Sequence, residues 1–244
     1  MNQTRILLAD DHRIVAEGLR GLLEAEFGPV EIVANGRELV AAAEKLRPDV
    51  IVTDISMPLL NGIDAVRLIR KRQKDIKVVF LTMHPDPSYA AAAFDAGASG
   101  YVLKHAAPAE LVTAIHCVLQ GKQFITPQLA GELQRFKENN GMQERADSGK
   151  LTSRQREILQ LLAEGRAVKD VAALLNISSR TVEFHKYRMM AEHGIQSSAA
   201  LVRFAVKHGV VKDGDLERLG CLGNCKVQDA VCGNVLRACD SRAV

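Results

Sequence analysis

Apolar residues in the first half of the chain fall into short runs rich in β-branched side chains, separated by stretches of helical period. Arg5-Ile6-Leu7-Leu8-Ala9 reads as a strand ending in Asp10-Asp11, followed by a helix with Ile14, Leu19, Leu22 and Leu23 along one stripe. Val30 to Ala34 reads as a second strand and Gly36 to Lys45 as a helix. Val50-Ile51-Val52 suits a strand buried on both faces of a parallel sheet. It ends at Asp54, where Ser56-Met57-Pro58 and Asn61-Gly62 supply turn chemistry. Ile63 to Arg72 is a helix, Lys77 to Leu81 a strand ending at Thr82, and Ala90 to Ala96 a short helix closed by Gly97. Gly100 to Leu103 is a strand ending at Lys104, and Pro108 starts a helix through Leu111, Ile115 and Leu119. Five strands alternating with five helices predict an α/β fold, a doubly wound parallel sheet of five strands.

In such a sheet the carboxyl ends of the strands share one edge, where ligands bind. Asp10, Asp11, Asp54, Thr82 and Lys104 all fall just after strands. Three carboxylates brought together repel one another unless a cation neutralises them. A hard, oxygen-loving ion such as Mg²⁺ fits, because it binds one or two carboxylates plus a phosphate and keeps several waters. Lys104 adds a mobile positive charge and Thr82 a hydroxyl donor, so the set is suited to a phosphoryl group on Asp54, with Asp54 as nucleophile. Taken singly, each residue has an ordinary surface role, and Asp54 alone reads more readily as a helix cap or a solvated turn acid.

These residues resemble the receiver domains of two-component response regulators over about residues 4–122. Asp-Asp after the first strand, Asp54-x-x-Met57-Pro58 after the third, Gly62, Thr82 after the fourth and Lys104 after the fifth carry the likeness. The resemblance implies a flavodoxin-like receiver in which Asp54 takes phosphate from a histidine kinase. It implies Mg²⁺ held by Asp10, Asp11, Asp54 and the backbone carbonyl of Ser56, and phosphoryl oxygens held by Thr82 and Lys104. Tyr101 occupies the place of a switch aromatic that moves inward with the threonine. His12 and His84 lie near the site but read as exposed loop residues. His105 stands where an acid is common.

From Thr126 to Gly149 the chain is polar, with Asn139-Asn140-Gly141 and Asp147-Ser148-Gly149; Pro127 to Lys137 can be helical and the rest reads as linker. The pattern then becomes purely helical. Thr152-Ser153-Arg154-Gln155 is a capping box opening a helix with Ile158, Leu159, Leu161 and Leu162 toward a core. Val168 to Leu175 is a second helix, Ser178 caps a third that runs to His193, and Ser197 or Ser198 opens a fourth with Leu201, Val202, Ala205 and Val206 on its apolar side.

The third helix carries Arg180, Glu183, Phe184, Tyr187 and Arg188 on one face, with Val182, His185 and Met189 expected inward. Basic, aromatic and polar groups on one face suit a helix that reads the major groove, although a solvated amphipathic helix has the same charge pattern. The short preceding helix and the turn at Asn176-Ile177-Ser178 favour a helix-turn-helix. Leu151 to Glu157, Thr181 to His185 and Leu201-Val202 resemble the LuxR-type helix-turn-helix over about residues 150–211. Together the two likenesses identify the chain as similar to the NarL/FixJ group. By resemblance, Glu183, Phe184 and Tyr187 meet base edges of double-stranded DNA, while Lys169, Arg180, Thr181, Lys186 and Arg188 are placed for phosphates. The resemblance implies a homodimer, paired through the last helix of the DNA-binding domain, through the receiver, or both. Ala167-Val168 departs from the usual polar start of the second helix.

Charge agrees with two jobs. Net charge is +3, but residues 1–125 hold 14 Lys+Arg against 15 Asp+Glu, whereas residues 150–211 hold 10 against 5. No apolar run reaches the length of a membrane helix, and only four apolar residues precede Asp10, too few for a signal peptide, so a cytoplasmic protein without membrane association is expected.

Cys221, Cys225, Cys232 and Cys239 follow at spacings of four, seven and seven. A straight helix would spread them over roughly 27 Å, so a single four-thiolate site needs the chain to fold back. Incidental thiols on an extension are the default, with a metal or redox role as the alternative. The expected organisation is a receiver at 1–125, a linker at 126–149, a DNA-binding domain at 150–211 and a cysteine-containing extension at 212–244. The chain is read as a transcriptional response regulator and not an enzyme; a thiol or metal sensor and a stand-alone phosphotransfer protein are the alternatives.

Overall fold

The computed structural model describes residues 4–140 and 151–211. The four cysteines of the extension, and the linker residues 141–149, lie outside the described residues.

The chain begins as alternating strands and helices: β1 (Ile6–Ala9), α1 (Arg13–Phe27), β2 (Val30–Val33), α2 (Gly36–Leu46), β3 (Val50–Thr53) and α3 (Gly62–Arg70). There follow β4 (Lys77–Thr82), α4 (Pro87–Asp95), β5 (Gly100–Leu103), α5 (Ala107–Leu119), β6 (Phe124–Ile125) and α6 (Pro127–Asn140). All strands are parallel, in the order β2-β1-β3-β4-β5-β6. The sheet therefore has six strands where five were expected. β6 is two residues long and pairs Ile125 with Tyr101, too short a run to carry a periodic signal.

Alternation along the strands builds two cores. Leu7, Ile51, Val78, Phe80, Tyr101 and Leu103 face one layer of helices, and Ile6, Leu8, Val50, Val52, Val79 and Val102 face the other. Leu129 and Leu133 of α6 are buried in the first core, so this part of the polar stretch packs back on the receiver, against α4. On α1 the buried stripe is Ala16, Leu19, Leu23 and Phe27. Ile14, expected on it, is 90% exposed: it precedes Ala16 by two residues, about 200° around the helix. On α5, Val118 is buried in place of Leu119.

The second unit contains α7 (Ser153–Ala163), α8 (Val168–Leu175), α9 (Ser179–Glu192) and α10 (Ser198–Lys207) around a core of Ile158, Leu161, Val171, Val182, Met189 and Leu201. Thr152 and Gln155 form the expected reciprocal capping box. Asn176 closes α8 in the left-handed conformation, and Ser178 caps α9 by accepting from the Thr181 N–H. Ala167 opens α8 without a side-chain cap. The two units touch through α7, which packs against α3 and the loop before it and pairs Glu157 with Arg37 of α2, and through Val210 past α10, whose carbonyl accepts from Asn61.

Candidate functional site

β1, β3, β4 and β5 end side by side, and their registers bring the candidate residues together. Asp10 and Asp54 are 2% and 1% exposed, and Thr82 is fully buried. Lys104 Nζ lies 2.8 Å from Asp54 Oδ2 and 2.7 Å from Asp10 Oδ2. Burial opposes charge on Lys104, but Asp54 and Asp10 outweigh it and hold the ammonium above the ordinary lysine range. Asp54 Oδ1 accepts from the backbone N–H of Ile55 at 2.6 Å and of Ser56 at 3.3 Å.

Ligand atoms of Asp10, Asp11, His12 and Asp54 all lie within 4.8 Å of one another. Asp11 Oδ1 is buried 3.1 Å from His12 Nδ1, while Asp10 Oδ2 is engaged by the Lys104 ammonium at 2.7 Å. Three carboxylates clustered this closely, with Asp11 Oδ1 buried and without a hydrogen bond, are the oxygen donor set a hard divalent cation requires, so the residues present fit one.

The loop after β3 is tightly fitted. Gly62 N–H donates to Ile55 O at 2.7 Å, and the Asn61 side chain caps α3 by accepting from the Asp64 N–H. A Cβ on Gly36 would lie 2.0 Å from Leu60 O, so α2 also presses on this loop. Leu59 adopts φ 68°, a left-handed conformation that branched aliphatic residues seldom take.

Tyr101 points inward, fully buried, and its hydroxyl donates to His84 O at 2.9 Å. Burial pushes its phenol far above the ordinary range. Thr82 Oγ1 accepts from His84 N–H at 3.2 Å, and His84 Nε2 is 3.2 Å from Ser56 Oγ. His84 also stacks on Tyr89. The β4–α4 loop thus links the hydroxyl of Thr82 to the ring of Tyr101.

On α9, Val182 and Met189 are buried and His185 is half-buried beside Phe184. Phe184 and Tyr187 are 58% and 63% exposed. Glu183, Arg180 and Arg188 are also exposed, Thr181 and Lys186 partly so, and Lys169 is exposed on α8. The face therefore offers two uncovered rings flanked by cations. Arg188 pairs with Glu192 one turn on, at 2.7 Å, and Lys186 Nζ lies over the Tyr187 ring.

Two family profiles match the chain: "Response regulator receiver domain" at residues 6–116 and "Bacterial regulatory proteins, luxR family" at residues 149–205. Among curated proteins it is similar to the transcriptional regulatory protein MctR of Rhizobium johnstonii, 35% identical over 85% of this chain and 95% of that one. It is also similar to the response regulator UvrY of Escherichia coli, 32% identical over 84% and 94%. The chain belongs to the NarL/FixJ response regulators. Among solved structures it resembles RcsB of Salmonella typhimurium, with TM-score 0.56 and 29% identity over 85% of this chain and 98% of that one.

As a two-component response regulator with a LuxR-type DNA-binding domain, the chain falls in a family of transcription regulators and not of enzymes. No helix among its described residues is long and apolar enough to cross a membrane. The regulator holds two features that sequence reasoning missed. His12, read as a loop residue, has Nδ1 within 3.2 Å of both Asp10 and Asp11, although its ring is about half exposed. Arg156, Gln160 and Glu164 of the α7 region point at the receiver. Their spacing of four was visible, but it also describes an ordinary solvated helix face.

Proposed function

We propose that Asp54 accepts a phosphoryl group from a histidine kinase and that this controls sequence-specific binding of a homodimer to double-stranded DNA in the cytoplasm. The observation that carries the reading is Lys104 Nζ 2.8 Å from Asp54 Oδ2, beside Asp10 and Asp11 at the same sheet edge. In the transfer, an Asp54 carboxylate oxygen attacks phosphorus. The new O–P bond forms as the P–N bond of the donor phosphohistidine breaks, and the imidazole leaves with the electron pair. Asp10, Asp11, Asp54 and the Ser56 carbonyl would hold Mg²⁺, which offsets the charge of the phosphoryl oxygens. Lys104 holds one such oxygen through its ammonium and Thr82 another through its hydroxyl.

Tyr101 couples the site to the β4–α4 face through its bond to His84 O. In the output domain Glu183, Phe184 and Tyr187 read base edges, and Lys169, Arg180, Thr181, Lys186 and Arg188 contact phosphates, positions supported by their exposure, full for all but the partly exposed Thr181 and Lys186. An RcsB structure similar to this chain is a complex with DNA. α10 is the proposed pairing helix. The division into receiver (1–125), connector (126–149), DNA-binding domain (150–211) and extension (212–244) follows from this reading.

The test is intact-mass measurement after incubation with acetyl phosphate, with and without Mg²⁺. The wild type gains one phosphate only with Mg²⁺, and Asp54→Ala gains none. An adduct of equal yield in Asp54→Ala contradicts the assignment.

A further inference from the structure

His12 is the one member of the acid cluster to which phosphoryl transfer gives no task. It stands at the N-terminal end of α1, where serine, threonine, aspartate or asparagine would accept from the first free amides of the helix. Its imidazole makes no such bond. The ring instead lies against the two aspartates that precede it, with Nδ1 3.2 Å from Asp10 Oδ1 and 3.1 Å from Asp11 Oδ1. The backbone follows the same course: the His12 N–H donates to Asp10 Oδ1 at 2.9 Å. α1 thus forgoes a cap at its first position and places a nitrogen among carboxylates.

The separations are those of ligands on one ion. Around an octahedral cation with bonds of about 2.1 Å, neighbouring donor atoms lie about 3 Å apart. Nδ1 keeps that spacing from one oxygen of Asp10 and one of Asp11. A donor atom from each of Asp10, Asp11, His12 and Asp54 lies within 4.8 Å of the others, and no other such group of three or more side chains is found among the described residues. Lys104 and a divalent ion together balance the three carboxylates, so a fourth donor has no charge to supply, and a neutral imidazole completes the set. Mg²⁺ gains little from it. That ion prefers carboxylate and water oxygen, whereas imidazole suits borderline ions such as Fe²⁺, Co²⁺, Ni²⁺ and Zn²⁺.

We propose that His12 is a metal ligand through Nδ1, and that it makes the acid pocket select a borderline transition ion over Mg²⁺. This rests on the pocket beside Asp54 holding a divalent cation at all. The supply of such an ion then sets, alongside Mg²⁺, how readily the receiver is charged with phosphate.

The test uses the full-length chain in equilibrium dialysis against Co²⁺ and, separately, Mg²⁺. The ion bound by the wild type and lost in Asp11→Ala is the ion of the acid pocket; ions held by the cysteines or by other histidines cancel in that difference. Later ions bind most nitrogen and oxygen sites better than Mg²⁺ does, so the change on removing His12 decides, and not the raw affinity. His12→Ala should weaken Co²⁺ binding in the pocket by about tenfold or more, since losing even a partner of a ligand costs that much. Its Mg²⁺ affinity should stay near the wild-type value. His12→Ser, which supplies the cap that α1 lacks, should behave in the same way and excludes a damaged helix as the cause. Unchanged Co²⁺ affinity in both His12 variants, equal losses of Co²⁺ and Mg²⁺, or a wild type whose Asp11-dependent site takes Mg²⁺ but no Co²⁺ overturns the assignment of His12. A wild type with no Asp11-dependent binding of either ion overturns the acid pocket as a cation site, which separates the two failures.

Discussion

A Cβ atom added to Gly62 would lie 2.0 Å from the carbonyl oxygen of Asp54. The obstacle is backbone, so neither group can swing aside, and only glycine lets the start of α3 come this close to the acceptor. Gly62→Ala should displace the loop, costing about 1–3 kcal/mol in stability and lowering phosphate uptake by about tenfold or more through misplacement of Asp54. Denaturant midpoints and uptake rates by intact mass check this; wild-type values for both would show that the close approach has no consequence.

Lys104 carries the next prediction. Its folded-state pKa is raised, so its contribution to stability is complete below the pKa of an unfolded lysine and is lost only as pH rises through the higher folded value. The wild type should therefore keep this contribution across neutral pH and lose it in strongly alkaline solution. Lys104→Met should lose it everywhere, at a cost of about 3 kcal/mol, because Asp10 and Asp54 stay buried without their cation. Thermal melts with and without Mg²⁺ test the point: the ion should raise the melting temperature more in the variant than in the wild type.

Glu164 reports on the interdomain contact. Burial raises its pKa, more than offsetting the bonds from Gln160 and the Leu59 N–H and the attraction of Arg166. The sign follows: its contribution to the folded, closed arrangement is full below the ordinary glutamate range and falls away as pH rises through its raised value. Protection of the Leu59 amide, corrected for intrinsic exchange, should accordingly weaken as pH rises from mild acid through that window. Glu164→Gln, always neutral and still able to accept from Leu59, should abolish the dependence. The same pH profile in the variant would sever it from Glu164.

Much of this architecture is legible in the sequence, for identifiable reasons. Runs such as Val50-Ile51-Val52 are apolar on both faces because both faces are covered, and a parallel sheet must bring Asp10, Asp54, Thr82 and Lys104 to one edge. What stayed hidden lacked a local signal. β6 has two residues. Ile14 looks like a core residue until the start of α1 fixes its phase. Gln160 is a polar residue on an otherwise unremarkable helix stripe, and its burial depends on a second domain 99 residues away in sequence, at Asn61.

The exposed face of α9 yields a prediction about DNA. Lys186→Ala should weaken binding to all duplexes and flatten its salt dependence by about one counterion. Glu183→Ala should mainly relax base preference, at a cost of about 1–3 kcal/mol in discrimination. Fluorescence anisotropy against specific and scrambled duplexes at several salt concentrations separates the two effects. Equal losses on both duplexes from Glu183→Ala would remove it from the base-reading set.

The most direct test of the account joins its two halves. Duplex binding by the full-length chain is measured by fluorescence anisotropy before and after treatment with acetyl phosphate and Mg²⁺, in the wild type and in Asp54→Ala. The account predicts that treatment tightens binding by the wild type by about fivefold or more and leaves Asp54→Ala unchanged. An equal shift in Asp54→Ala, or no shift in a wild type shown by mass to carry the phosphate, would contradict it.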